Sequence, residues 1–196
     1  MHKMFKDRRS IRAYTAEPIP HHVLTDILEA GRIAPSSKNR QPWHFTVVSG
    51  ASKESLLQAM AEGLIRETSQ PFLPESAAYI AGAKHTLSIM KQAPVIILIT
   101  NPIGSPIGKP LSVDAHVSEL CNAQSAGAAI ENMCLAAAEH GLGSLWICDI
   151  YFSYPELMHW LQKPGILLAA LALGWPAESP SPRPRKEISD VIEWRG

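Results

Sequence analysis

The chain has 196 residues, of which 46% are hydrophobic and 18% charged, so it is long and apolar enough to fold as one domain around a core. Lysine plus arginine and aspartate plus glutamate number 18 each, which argues against a general nucleic-acid binder because such proteins are strongly basic. The most apolar stretches, 93–99 and 165–174, are much shorter than the roughly 20 residues that a membrane-spanning helix needs.

The N-terminus and the cysteines favour a cytoplasmic protein. The first ten residues, MHKMFKDRRS, carry charges where a signal peptide would have its apolar core, so we expect no secretion signal. Cys121, Cys134 and Cys148 have no CxxC spacing, and one of them is left over if two form a disulfide. They are therefore expected to be reduced thiols.

The predicted elements alternate between helices and short buried strands, a pattern of α/β or α+β proteins. Prolines, glycines and runs of β-branched residues mark their ends. In chain order they are a helix over His21–Ile33, a loop over Pro35–Trp43, a strand over Phe45–Val48, a helix beginning near Ser52, a loop over Ser69–Pro74, a helix over Ser76–Gln92, a strand over Pro94–Thr100, a loop over Asn101–Pro110, a helix over Val113–His140, a strand over Leu145–Ile150, a helix over Tyr154–Gln162 and a strand over Gly165–Gly174.

Two of the helices have informative faces. The helix beginning near Ser52 is expected to bury one apolar stripe. The long helix ends at Gly141, a residue type common just after helices, and its middle, AQSAGAAIEN, has small residues that allow another backbone to approach closely. A packed central helix and a dimer-interface helix both explain this pattern. The apolar stripe of the helix that begins near Ser52 comprises Leu56, Leu57, Met60, Leu64 and Ile65. One face of the long helix carries Val117, Leu120, Cys121, Gln124 and Ala128.

The tail over Trp175–Gly196 differs from the rest of the chain. Four prolines lie between Pro176 and Pro184, and a strand-like segment follows over Ile188–Trp194. Such a tail cannot fold by itself, so it must lie along this domain or along a partner.

Three polar clusters could bind a ligand. Arg8, Arg9, Ser10 and Arg12 place three guanidiniums and a hydroxyl within five residues, a set suited to phosphate because arginine donates two parallel hydrogen bonds and stays charged. Prolines hold a second basic cluster, Arg183-Pro-Arg185-Lys186, in an extended form. Each cluster has an alternative explanation without a ligand: the first is then a basic N-terminus exposed to solvent, and the second a charged tail exposed to solvent.

The third cluster is the loop PSSKNRQPW over Pro35–Trp43. Its short polar side chains lie between two prolines, and such loops present hydrogen-bonding groups at fixed positions. An ordinary helix-ending turn is the alternative explanation. The polar residues are Ser36, Ser37, Asn39 and Gln41.

Other chemistries lack support in the sequence. The segment 141–144 does not complete a GxGxxG or GxxxxGK[ST] nucleotide motif, and no GxSxG nucleophile motif occurs. Asp114, His116, Glu119 and Cys121 have no second spaced pair of ligands, so no metal is expected. The lack of an obvious acid, base or nucleophile indicates that a bound cofactor carries the reaction.

Taken in order, five segments resemble the nitroreductase family of FMN-dependent oxidoreductases. They are RRSIRAY (8–14), APSSKNRQPWHF (34–45), AIENMCLAAAEHGLGSLWI (129–147), LALGWP (171–176) and the RPR of the tail. The resemblance implies a single α+β sandwich domain over 1–196, a mixed and mainly antiparallel sheet flanked by helices. It also implies a homodimer, interlocked through the long helix and a swapped tail from about residue 175, with FMN at the interface.

The resemblance assigns roles residue by residue. Arg8, Arg9, Ser10 and Arg12 match the family's N-terminal FMN motif, with Arg8 and Ser10 facing the phosphate and ribityl chain and Arg12 the pyrimidine edge. Arg183 and Arg185 match the basic residues that close over the phosphate. Pro35, Ser36, Ser37, Asn39 and Gln41 match the loop that the other protomer contributes, and the backbone at Cys148 and Asp149 matches the approach to flavin N5.

The implied reaction is ping-pong hydride transfer from NADH or NADPH through flavin N5 to a nitroaromatic, quinone or similar electron-poor small molecule, with no catalytic side chain. Two alternatives stay open. One is a specialised relative of the dehalogenase, flavin-fragmenting or azoline oxidase type. The other is a protein that binds FMN without NAD(P)H turnover. No nucleic acid, membrane or metal is expected as a partner.

Overall fold

The structure is a computed structural model that describes residues 2–196. Its helices are α1 (Lys3–Asp7), α2 (His21–Arg32), α3 (Gly50–Ser69), α4 (Ile80–Gln92), α5 (Val113–Glu139) and α6 (Tyr154–Leu161). Its strands are β1 (His44–Val48), β2 (Val95–Asn101), β3 (Gly143–Ile147) and β4 (Ile166–Gly174). Short 3-10 turns cover Ser37–Asn39, Ser76–Tyr79, Asp149–Ser153 and Ile188–Asp190.

The four strands form one antiparallel sheet in the order β1-β2-β4-β3. The central strands β2 and β4 are almost entirely buried, as expected for strands covered by helices on both faces. A parallel bridge between Ser10 and Ser144 extends the outer edge of β3. The predicted α+β sandwich is therefore confirmed, and its mixed character is limited to this bridge.

Alternate residues of β2 serve two hydrophobic clusters, one on each face of the sheet. Ile96 and Leu98 pack with α3, α4 and α6, whereas Ile97 and Ile99 pack with α2 and α5. This alternation follows from the two-residue period of a strand. Across residues 2–196, no helix is both long enough and apolar enough to cross a membrane.

The long helix α5 begins at Val113 as predicted and ends at Glu139, one residue before the predicted end. The Ser112 side chain accepts a hydrogen bond from the Ala115 N–H at 3.2 Å and caps its first turn. Gly141, just beyond its last turn, has φ +77°, a backbone conformation that glycine adopts without steric cost.

Two local predictions were wrong. The strand expected over Leu145–Ile150 ends at Ile147, because the chain turns into the 3-10 turn over Asp149–Ser153. Ile65, placed in the buried stripe of α3, is 69% exposed, and Glu67 is buried instead. In the single chain, the strand-like segment Ile188–Trp194 contains only the turn at Ile188–Asp190. Its place along a partner stays a prediction.

Candidate functional site

The segment after α1, Arg8–Tyr14, is fixed against the edge of the sheet. The Ile11 N–H donates to the Ser144 carbonyl at 3.0 Å, and the buried Tyr14 hydroxyl donates to the Ile11 carbonyl at 2.8 Å. Gly143 allows this approach, since a Cβ there would lie 2.8 Å from the Ile11 side chain. These contacts set the direction in which the alternate residues Ser10 and Arg12 face.

The start of the tail is bonded to the same segment. The Thr15 N–H donates to the Trp175 carbonyl and the Ala177 N–H donates to the Ala13 carbonyl, both at 2.9 Å. The Glu178 carboxylate accepts the backbone N–H of Arg12. The tail therefore leaves β4 alongside the N-terminal segment, and this path carries residues 180–185 over the first arginine cluster.

The two basic clusters, far apart in sequence, together line one cavity of about 590 Å³. All six charged residues that line it are cationic, so the cavity favours an anion. Its lining consists of Phe5, Lys6, Arg8, Arg9, Ser10, Arg12, Pro180, Ser181, Pro182, Arg183 and Arg185.

The guanidiniums of the first cluster are held by a few contacts. Arg9 Nη1 donates to the Arg8 carbonyl at 2.8 Å, and Arg12 Nη1 donates to the Ser10 carbonyl at 3.1 Å. Arg8 Nε lies 3.4 Å from Glu131 Oε1 on α5. A guanidinium has five N–H groups, so these contacts orient the side chains and leave donors for an anion.

The loop after α2 is folded as a compact platform. The Ser36 hydroxyl accepts the Gln41 N–H at 3.0 Å, and the Ser37 N–H donates to the Ser125 hydroxyl of α5 at 3.1 Å. Asn39 and Gln41 adopt positive φ, +53° and +49°, which commits the loop to a specific shape. Asn39 and Gln41 are both exposed at its tip.

The Cys148–Asp149 turn follows directly after β3. The Asp149 carboxylate accepts a hydrogen bond from the Thr86 hydroxyl of α4, and the Cys148 carbonyl accepts the Tyr151 N–H at 3.1 Å. Desolvation and the neighbouring Asp149 carboxylate raise the pKa of the Cys148 thiol. The neutral thiol therefore dominates at neutral pH, which disfavours nucleophilic reactivity.

The sequence model of the Nitroreductase family matches residues 5–175, which include the end of α1, the site segment after it and every strand of the sheet. The chain belongs to the Nitroreductase family. Among residues 2–196, no three His, Cys, Asp or Glu side chains are grouped as a metal site would require.

Three relatives match this chain over 93% or more of its length. A nitroreductase-like protein of Desulfovibrio desulfuricans in complex with FMN is 28% identical, with a TM-score of 0.74 over 99% of this chain and 95% of that one. A variant of the FMN and NADPH-dependent nitroreductase NfnB of Sphingopyxis sp. strain HMH is 26% identical, with a TM-score of 0.77 over 99% and 98%. The FMN reductase [NAD(P)H] of Bacillus subtilis is 28% identical over 93% of this chain and 68% of its own length.

A single copy of this chain brings together about half of the site residues that the sequence predicted. The basic cavity gathers one set, whereas the second set lies on two other surfaces of the chain, the loop after α2 and the turn after β3. The first set comprises Arg8, Arg9, Ser10, Arg12, Arg183 and Arg185, and the second comprises Pro35, Ser36, Ser37, Asn39, Gln41, Cys148 and Asp149.

Sequence reasoning missed two charged residues in or beside the cavity. Lys6 lies in α1, a five-residue helix that no periodic pattern in the sequence predicted. Its position three residues before Arg9 was the only indication that it belongs to the basic cluster. Glu178, which holds the Arg12 backbone, stands alone among prolines. Nothing local distinguishes such a residue from a solvated acid.

Proposed function

We propose that this chain is an FMN-dependent NAD(P)H oxidoreductase that reduces nitroaromatic, quinone or similar electron-poor small molecules. The observation that carries the proposal is the cavity in which both arginine clusters meet. A phosphate monoester carries close to two negative charges at neutral pH, and the all-cationic lining suits it. Relatives whose names include FMN reductase and FMN-dependent nitroreductase add support.

The residues present fit FMN at both ends of the cavity. Arg8, Arg183 and Arg185 would hold the phosphate by charge-assisted hydrogen bonds, with Arg9 nearby and the Ser10 hydroxyl toward the ribityl chain. Arg12 would lie at the pyrimidine edge, where a fixed positive charge stabilises added negative charge and raises the reduction potential. The cavity of about 590 Å³ leaves room for a ligand of this class.

When bound, FMN would supply the hydride-transfer chemistry at N5, between NAD(P)H and the acceptor in a ping-pong sequence. The chain's own contribution is to bind, orient and set charge. The Asp149 side chain is engaged by Thr86, and this contact would hold the backbone at Cys148 and Asp149 in place beside N5. No acid, base or nucleophile from the chain is required.

We further propose that the complete site needs a second copy of the chain. The α5 face that carries Val113, Val117 and Leu120 is exposed in one chain, as are Ile188 and Trp194 in the tail. Apolar surface of this kind is characteristic of an interface. In the dimer, the tail that each 1–196 domain carries from about residue 175 would reach the partner with its end beyond Lys186, because residues 175–185 pack on their own chain. The loop over Pro35–Gln41 would reach the partner's FMN.

The three cysteines are all unpaired thiols, in keeping with a cytoplasmic protein.

The proposed function is tested by an anaerobic titration of purified protein with NADH and NADPH. We expect flavin absorption bands that bleach on addition of one or both nucleotides. Bands that persist would favour a specialised relative or a binding protein without turnover. No flavin bands after FMN addition would contradict the proposed cofactor.

Truncation after Lys186 tests the tail separately from phosphate binding, because Arg183 and Arg185 are kept. The deletion removes Ile188, Val191 and Trp194, and each apolar side chain buried at an interface contributes about 1.5–3 kcal/mol. We expect the dimer dissociation constant to rise at least about tenfold, measured by sedimentation, with Arg195→Ala as a control in the same segment. An unchanged dissociation constant would contradict the tail-mediated dimer.

A further inference from the structure

A buried carboxylate lies at the end of α3, away from the basic cavity. Glu67 is only 2% exposed, and it continues the stripe of α3 that buries Leu56, Met60 and Leu64. Burying a charge is costly unless its hydrogen bonds are satisfied. The groups that satisfy Glu67 therefore indicate what the charge is for.

Both oxygens of Glu67 bind the backbone of the segment that follows α3. Glu67 Oε2 accepts the Phe72 N–H at 2.7 Å, and Oε1 accepts the Leu73 N–H at 2.9 Å. Burial raises the pKa of this carboxyl, but the hydrogen bonds from Phe72 and Leu73 and the Arg66 guanidinium outweigh it, so the pKa lies below its ordinary value. We call residues Gln70–Ser76 the strap.

Arg66 connects the strap to the turn beyond Cys148 and Asp149. Its guanidinium pairs with Glu67, binds both oxygens of Glu156 at 2.8 and 3.1 Å, and donates to the Gln70 carbonyl at 3.0 Å. It also donates to the Phe152 carbonyl at 3.1 Å. Because one guanidinium joins all these groups, the strap and the 149–153 turn are held as one unit.

Aromatic packing reinforces this connection. The rings of Phe72 and Tyr154 stack with centroids 5.4 Å apart, and Tyr154 stacks on Tyr151 at 6.2 Å. The strap and the turn together border an apolar recess of about 360 Å³ lined by Leu73, Pro74, Glu75, Ser76, Tyr79 and Phe152. The recess is thus built by the strap on one side and by the turn that begins at Asp149 on the other.

We propose that Glu67 is a positioning residue for the electron acceptor: by holding the strap against the 149–153 turn, it fixes the recess that takes the apolar ring of an aromatic acceptor. This inference rests on the proposed function. Glu67 acts through the backbone of Phe72 and Leu73 and through its pairing with Arg66, and it touches no reacting atom. An apolar residue would fill the same space at lower cost, but it could not bind those two N–H groups.

The test compares Glu67→Gln with Glu62→Gln, which makes the same chemical change at an exposed position of the same helix. The glutamine keeps the size of the side chain but offers one acceptor oxygen where two N–H groups need one each. Full-length protein with FMN is assayed with NAD(P)H and two acceptors, nitrobenzene, which would need the recess, and ferricyanide, which would not. Hydrogen exchange at the Phe72 and Leu73 amides is measured on the same samples.

For Glu67→Gln we expect exchange at Phe72 and Leu73 to accelerate at least about tenfold and the KM for nitrobenzene to rise roughly tenfold. FMN retention, ferricyanide reduction and all values for Glu62→Gln should stay near those of the wild type. Unchanged exchange would overturn the positioning role. Faster exchange with an unchanged nitrobenzene KM would overturn the link to the acceptor, and so would an equal loss with both acceptors.

A second variant covers the case in which Glu67→Gln does not fold. Tyr79 lines the recess with 65% of its surface exposed, so Tyr79→Ala should fold and still raise the KM for nitrobenzene; an unchanged KM would overturn the proposal. A wild type that binds FMN but reduces neither acceptor would refute the proposed function itself. That result is distinct from a failure confined to nitrobenzene.

Discussion

Replacing Arg8 or Arg185 with alanine is expected to weaken FMN binding by about 1–3 kcal/mol, or roughly 5- to 150-fold in Kd. Both side chains line the cavity where the two basic clusters meet, and each would lose a charge-assisted contact to the phosphate. Riboflavin, which lacks the phosphate, should bind Arg8→Ala and Arg185→Ala as well as it binds the wild type. The measurement is quenching of flavin fluorescence in titrations of apoprotein.

Arg12→Ala separates the two ends of the cavity. If Arg12 lies at the pyrimidine edge, its loss should weaken FMN and riboflavin alike, in contrast to the phosphate-selective effects of Arg8 and Arg185. Arg32→Ala is the matched control, because Arg32 is an exposed arginine paired with Glu29 on α2. Surface pairs of this kind contribute little, so neither flavin should be affected.

Combining Arg8→Ala with Arg185→Ala tests whether the clusters form one site. Two arginines that share one phosphate should show a non-additive loss, because the remaining charge partly reorganises around the ligand. Equal weakening of FMN and riboflavin by Arg8→Ala would contradict the phosphate assignment. Full retention of FMN by the double variant would contradict the whole site.

The ends of most elements could be predicted because the sequence contains local signals for them. Ser112 and Gly141 bracket α5, and prolines and β-branched residues bracket β2. The end of β3 could not be predicted, because Ile147 is followed by a turn whose hydrogen bonds to α3 and α4 join residues far apart in the sequence. Tertiary contacts of this kind have no pattern in the local sequence.

The candidate site was likewise predictable in part: its residues could be chosen from the sequence, but their meeting in one cavity could not. Arg8, Arg12, Arg183 and Arg185 could be selected because clustered guanidiniums and a hydroxyl suit a phosphate. Their meeting in one cavity depends on the backbone bonds from residues 12–15 to the tail, which sequence spacing does not reveal. Glu67 did leave a signal, since it falls on the buried face of α3 four residues after Gly63. A charge at such a position predicts a buried partner.

Gly63→Ala is expected to destabilise the fold by about 3 kcal/mol, near the upper end of the range for overpacked cores. A Cβ at this position would lie 2.4 Å from Ser153 Cβ and 2.6 Å from Ser153 Cα. Because one of these atoms is backbone, no side-chain rotation relieves the clash. The helix must move off the 149–153 turn, breaking the bond from the Ser153 hydroxyl to the Met60 carbonyl, now 2.7 Å.

Gly82→Ala provides the control for Gly63→Ala, since Gly82 lies in α4 and a Cβ there would meet nothing within 4 Å. Alanine is the better helix former, so this change should stabilise the protein by up to about 1 kcal/mol. Urea denaturation of both variants should therefore give shifts of opposite sign. A Gly63→Ala variant as stable as the wild type would contradict the direct packing of α3 on this turn. That packing also holds Cys148 and Asp149 in place, so the same variant should show altered hydrogen exchange there before it unfolds.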